Sequence, residues 1–305
     1  VIDVRCTRPK NTRRRFVNDC RRAGTIPAVG TLVAFHAHPD DECISTGGTM
    51  ARAAGEGHRV VLIVATNGEH GEVPDDLAPG ETLVDRRRAE TEASAKTLGV
   101  ASVVWLGYED SGMTGWDENQ NPVSFHQADP DEAGERVAAI LRKERADVFT
   151  IYDWHGTYGH PDHVKVHRVG QSAAKLVDHP MRTLEATVNR DAMTAMIRAA
   201  REAGMGLESP DADSDDEFDP SSPADDGNPF GEPESVLTLR VDVTDQTEVK
   251  RAAMRCHRSQ INDSSFFLEM PDEIFAMAFG IEWFIEHDRN PPHRNGWIFD
   301  TLSDL

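Results

Sequence analysis

The sequence predicts an α/β fold: a mostly parallel sheet with helices on both faces. Three observations carry this. The apolar runs at 31–37 and 59–66 are continuous, as they are in strands buried on both faces. The stretches between such runs have helical length and period. The two kinds of segment then alternate along most of the chain, which implies parallel strands joined by crossover helices.

The elements follow in order. TLVAFHA (31–37), a helical stretch Gly48 to Glu56 and RVVLIVAT (59–66) make a βαβ unit. A helix over Thr82 to Leu98 precedes the short strand VVWLG, and one over Asp131 to Glu144 precedes DVFTIYD. Another follows His160 and runs to Val177; a strand at Leu184 to Val188 leads into a helix from Asp191 to Ala203. The stretch 207–233 is rich in Asp, Ser, Pro and Gly, and is expected to be an exposed, mobile acidic insertion. A lid over the site is the alternative reading of it. Beyond it lie a strand (Val236 to Val243), a helix (Thr247 to Ser259) and the aromatic segment SFFLEMPDEIFAMAFGIEWFI, whose core-like pattern places it in the same domain. Residues 29–305 therefore read as one Rossmann-like domain. Residues 1–28 are basic and aperiodic and read as a flexible extension outside the fold, either an upstream start-site artefact or a targeting segment.

The formal charge of −21 and pI near 4.9 exclude a binder of nucleic-acid phosphates and disfavour anionic membranes, since such a surface repels both. A small or neutral partner fits better. About half of the excess lies between Glu208 and Glu234, which hold eleven acidic residues and no Lys or Arg. Cys6, Cys20, Cys43 and Cys256 are widely spaced with no CxxC pair, which points to reduced thiols and a cytoplasmic location. The longest apolar run, Val60 to Ala65, is too short to span a bilayer, so no stable membrane insertion is expected. Nothing in the sequence speaks to oligomeric state.

The densest chemical signal is Ala37-His38-Pro39-Asp40-Asp41-Glu42, directly after the first predicted strand. Ligand sites in open α/β sheets form beyond the carboxyl ends of strands. Imidazole and carboxylate suit zinc, and catalytic zinc takes three protein ligands with a position left for water. His38 and Asp41 supply two. Tyr158-Gly159-His160-Pro161-Asp162-His163 follows another strand, and His163 completes the set. Iron(II) is equally compatible with two His and one Asp.

Asp40 neighbours Asp41 and points elsewhere, so it is assigned as general base, a helix N-cap being the plainer alternative. His160, if protonated, would stabilise an oxyanion, and Asp162 would hold that imidazole charged and oriented. Asp162 reads equally well as an N-cap. Glu42 is expected to support a ligand without being one, and Cys43 to be a packed small residue.

These residues resemble the LmbE-like, or PIG-L-like, N-deacetylases, a family that includes the de-N-acetylase of glycosylphosphatidylinositol synthesis and the deacetylase and amidase of the mycothiol pathway. AHPDDE (37–42), TNGEHGE (66–72) and YGHPDH (158–163) match its motifs in order and spacing, within a resemblance covering Gly30 to Val177. The resemblance implies the same ligands and the same roles for Asp40 and His160. It adds Tyr158 as a mobile tyrosine that polarises the substrate carbonyl. It also implies that Arg87 and Asp110, the latter in Asp110-Ser111-Gly112-Met113, contact sugar and inositol hydroxyls. For Arg87 a surface salt bridge, and for Asp110 a turn, are the alternatives. After Val177 the chain departs from the mycothiol-pathway pattern.

The expected function is metal-dependent hydrolysis of the acetamide of an N-acetylglucosamine-type conjugate, with a small-molecule amidosugar as partner. One alternative is an amidase cleaving a larger acyl group, such as a mycothiol S-conjugate. Another is a non-catalytic sugar-binding Rossmann-like module, which the absence of GxGxxG after the first strand disfavours.

Overall fold

Alternation within the first strand sets the layers. In a computed structural model that describes residues 29–202, 218–224 and 226–300, β1 (Thr31–His36) turns Leu32 and Ala34 to one face and Val33 and Phe35 to the other, each of them fully buried. Both faces are therefore covered, as the continuous apolar run predicted. The order continues with α1 (Asp41–Ser45), α2 (Gly47–Gly55), β2 (Arg59–Thr66), α3 (Leu83–Leu98), β3 (Ser102–Tyr108), α4 (Pro130–Glu144), β4 (Val148–Tyr152), α5 (Pro161–Leu176), β5 (Arg182–Thr187) and α6 (Arg190–Glu202). Then come β6 (Leu239–Asp242), α7 (Thr247–Met254), α8 (Phe266–Glu269), α9 (Asp272–Phe279), β7 (Ile281–Ile285) and β8 (Arg294–Asn295).

Eight strands form one sheet in the order β3-β2-β1-β4-β5-β7-β6-β8. The pairs β1/β2, β1/β4, β2/β3, β4/β5 and β6/β8 are parallel; β7 alone runs against its neighbours β5 and β6. One face packs on α4 and α5 through Val137, Leu141, Val166 and Val169, and the other on α2, α7 and α9 through Met50, Met254 and Phe275. The C-terminal aromatic segment joins this second layer and the same sheet.

Local chemistry sets the helix ends. Thr82 and Asp85 form a reciprocal capping box that starts α3, and Gly99 at φ 76 closes it in the left-handed region. Asp129 caps α4, with Pro130 in its first turn. Two elements are shorter than predicted: α7 ends at Met254 because residues 255–261 turn, and β6 begins at Leu239 because 234–236 form a single 3-10 turn.

The predicted insertion falls in two parts. Residues 207–217 and 225, like 1–28 and 301–305, lie outside the described residues. Residues 226–232 pack on the loop after β4: Gly231 N–H donates to the Thr157 carbonyl at 2.7 Å, and Trp154 Nε1 donates to Glu232 at 2.5 Å. Among the described residues no helix is long and apolar enough to cross a membrane.

The chain runs from β1 outward to β3 on one side and then returns to place β4 on the other side of β1. The loops leaving β1 and β4 thus meet at the carboxyl edge where strand order reverses, the place such sheets bind ligands.

Candidate active site

The loop after β1 carries Asp40 at φ 109, a conformation L side chains rarely adopt. Surrounding contacts hold it there. Arg87, from α3, donates to the Pro39 carbonyl at 2.6 Å, to the Gly68 carbonyl at 2.9 Å and to Asp40 Oδ2 at 3.3 Å. Glu42 Oε2 accepts the Asp40 N–H at 2.9 Å. Glu42 is itself fully buried, and its Oε1 meets Ser94 Oγ at 2.5 Å and His257 Nε2 at 2.6 Å. It therefore supports the backbone of Asp40 and not a ligand side chain. Asp40 occupies the N-cap position of α1 but makes no capping bond, so its carboxylate is left for the cleft. Cys43 is packed in the core, its thiol pushed up by burial.

Asp41 stands between two imidazoles. Its Oδ2 is 3.4 Å from His38 Nδ1 and its Oδ1 is 3.3 Å from His163 Nε2. Asp41 thus bridges the two rings through separate oxygens, and His38, His160 and His163 each offer a ring nitrogen within 4.8 Å of the others, donors of the type a divalent zinc takes. His163 Nε2 is buried without a hydrogen bond, as expected of an atom reserved for an ion. The residues therefore fit a divalent metal.

The far nitrogens of both rings are held. His38 Nε2 faces Asp162 Oδ2 at 3.2 Å and Asp110 Oδ1 at 3.5 Å, and His163 Nδ1 meets the Gly156 carbonyl at 3.2 Å. Gly156 has to be glycine: its φ is +67, and a Cβ there would sit 2.3 Å from that of His163. Tyr152 stacks on His163 at 4.6 Å, with its hydroxyl 2.7 Å from His36 Nδ1. Burial opposes charge on Asp41, yet His163 and His38 hold its carboxyl well below the usual range.

His160 joins the same cluster, its ring 4.6 Å from that of His38 and 5.1 Å from that of His163, and its ring nitrogen also lies within metal-sharing distance of theirs. The expected service of Asp162 to His160 is not seen. The Asp162 carboxylate instead accepts from Ser111 Oγ, from Ser111 N–H at 2.9 Å and faces His38. What reaches His160 is the backbone N–H of Asp162, which donates to Nδ1 at 3.1 Å because His160 is the N-cap of α5. Burial, with the neighbouring imidazoles, pushes the His160 pKa down, so this environment does not hold it charged.

A cleft of about 190 Å³ opens over this cluster, lined by His38, Asp40, Asp41, Tyr158 and His160 together with Arg87 and Asp110. Arg87 is only 4% exposed, and its donors serve the Pro39–Asp40 turn and the Gly68 carbonyl. Asp110 accepts the Gly112 N–H at 2.9 Å and the His70 N–H at 3.4 Å. Tyr158 meets His163 edge-on at 5.0 Å and stacks with Phe230 at 6.3 Å. Burial and the Asp41 charge raise Asp40 to about 6 against the pull of Arg87.

Sequence reasoning named the loop that carries Ser111 and Met113 without giving either a role, and missed His70 and Trp116 in the cleft wall and Ser94 and His257 beneath it. His70 lay inside a quoted motif after the second strand, so strand-end position pointed to it. His257 carried no signal, since 215 residues separate it from Glu42.

The family model described as GlcNAc-PI de-N-acetylase (PIG-L) matches residues 33–174. A 1D-myo-inositol 2-acetamido-2-deoxy-alpha-D-glucopyranoside deacetylase of Acidothermus cellulolyticus is 38% identical over 273 residues, spanning 84% of this chain and 88% of its own. A protein of the same description from Nocardioides sp. is 36% identical over 306 residues, spanning 90% and 98%. Among solved structures, the A40926 pseudoaglycone deacetylase Dbv21 shares the fold with a TM-score of 0.52 at 16% identity, over 84% of this chain and 96% of that one.

Proposed function

Because this chain belongs to the PIG-L family of de-N-acetylases, we propose that it is a metal-dependent N-deacetylase that hydrolyses the acetamide of an N-acetylglucosamine-type conjugate to amine and acetate. The observation that carries this reading is the Asp41 carboxylate set between the His38 and His163 imidazoles at 3.4 and 3.3 Å, with the Asp40 carboxylate beside it in the same cleft. The relatives named as deacetylases of an acetamidoglucosyl inositol support a two-ring substrate of that kind.

His38, Asp41 and His163 would hold zinc or iron(II), which supplies Lewis acidity for the amide carbonyl and for water. Asp40 takes the proton of the attacking water and delivers it to the leaving nitrogen. An Asp40 pKa near 6 suits that task, because a base and conjugate acid near neutrality can do both. His160 donates to the developing oxyanion as a neutral ring: its Nδ1 accepts the Asp162 N–H, which leaves the proton on Nε2. The Tyr158 hydroxyl is assigned to the same carbonyl oxygen. Arg87 keeps Asp40 in its high-energy backbone conformation and Asp110 orients both His38 and substrate hydroxyls.

The test is amine release from a panel of N-acetylglucosamine conjugates by enzyme stripped with chelator and reloaded with zinc or iron(II). Hydrolysis that disappears on stripping and returns with metal is expected. Activity indifferent to chelation, or release of larger acyl groups in preference to acetate, would overturn it.

A further inference from the structure

Four of the five tryptophans have a cationic or imidazole side chain at the ring: Arg88 lies 5.0 Å over Trp105, Arg52 3.9 Å over Trp297, Arg240 5.9 Å over Trp283, and His155 4.8 Å from Trp154. Among the described residues Trp116 has no such partner. It is also the tryptophan in the cleft wall, and it is 47% exposed.

Its indole is nonetheless fixed. One face lies on Gly112, which has φ +62 and where a Cβ would come within 2.7 Å of the ring. The buried Asn119 closes the loop around it, accepting the Gly115 N–H at 2.9 Å and donating to the carbonyls of Ser111 at 2.6 Å and Met113 at 3.1 Å. Trp116 N–H donates in turn to the Met113 carbonyl at 3.1 Å. Trp116 and Met113 together place a contiguous stretch of exposed apolar surface at the mouth of the cleft, and such surface marks a place where something binds.

The cleft grades from the buried His38, His160 and Asp110 at its floor to Met113 and Trp116, 38% and 47% exposed, at its rim. An acetamide at the floor would place its own ring beside Asp110 and the next ring at the rim. Resting on the amidosugar reading above, we infer that Trp116 is the stacking platform of a subsite for the second ring of the substrate, the polyol or sugar joined to the acetamidoglucose. The C–H face of such a ring packs on an indole while its hydroxyl edge reaches polar groups, a division of labour common to preformed pockets.

Two substrates and two variants test this in the metal-loaded enzyme. Trp116→Ala should raise KM for the acetamidoglucosyl inositol about three- to ten-fold, with kcat little changed. The methyl glycoside of N-acetylglucosamine should show no such rise. Trp116→Phe, which keeps an aromatic face and the fold, should recover most of the affinity. The two-ring ligand should also quench a fluorescence component present in the parent protein and absent from Trp116→Phe. Equal KM effects on both substrates, or no effect on either, would overturn the subsite. If the parent hydrolyses neither substrate yet the Trp116-dependent quench persists, the deacetylase reading fails and the subsite stands. Absence of hydrolysis together with absence of quench defeats both.

Discussion

The Arg87 guanidinium reaches Asp40 Oδ2 at 3.3 Å and the carbonyl of the preceding Pro39 at 2.6 Å, so one buried cation holds both a candidate base and the backbone that carries it. Burial raises Asp40 to about 6 and Arg87 pulls the other way. Removing the cation therefore leaves the base protonated up to a higher pH. Arg87→Met should move the acid limb of kcat/KM upward and lower kcat by about ten- to a hundred-fold. An acid limb unmoved in the pH profile would show that Arg87 acts on substrate alone.

Asp40 and His163 separate chemistry from metal retention. Asp40→Asn should keep full metal content and lose about a hundred-fold or more in turnover. His163→Ala should lose the ion, because its Nε2, 3.3 Å from Asp41 Oδ1, is proposed as one of three donors. Elemental analysis beside steady-state rates checks both, and retained metal in His163→Ala would refute the ligand set.

Asp162 faces His38 Nε2 and Ser111, an outer contact of a proposed ligand. Asp162→Asn should weaken metal affinity about ten- to a hundred-fold in a competing-chelator titration. Were its role to charge His160, kcat would fall at unchanged metal affinity.

Glu282 and Lys250 form a buried pair at 2.7 Å, and the same carboxylate accepts the Gly48 and Thr49 N–H groups at 2.8 Å each in the first turn of α2. Glu282→Ala strands a buried ammonium and should cost about 3–5 kcal/mol in urea unfolding. Adding Lys250→Met should restore part of that loss. A double variant as unstable as the single one would show that the cost lies in the helix N-terminus instead.

The fold was legible because β1 and β2 are apolar without interruption and the helices between strands carry their own caps, as with Thr82 and Gly99. Asp162 shows where such reading stops. It lies beside His160 in sequence, yet the first turn of α5 sends its carboxylate to Ser111 and His38 and only its N–H to His160. Phe230 and His257 lay beyond reach for a different reason: each meets its partner, Tyr158 or Glu42, only through the path of the whole chain.

The sequence by itself determined the parallel α/β sheet, the two motif loops and the residue types that gather on them, because periodicity and strand-end position are local properties. The tertiary structure decided which of those residues touch. Asp41 stands between the imidazoles, Arg87 bonds to Asp40, and Trp116 stands half-exposed at the rim. Those assignments depend on distances between strands, helices and loops remote in the chain, which packing alone sets.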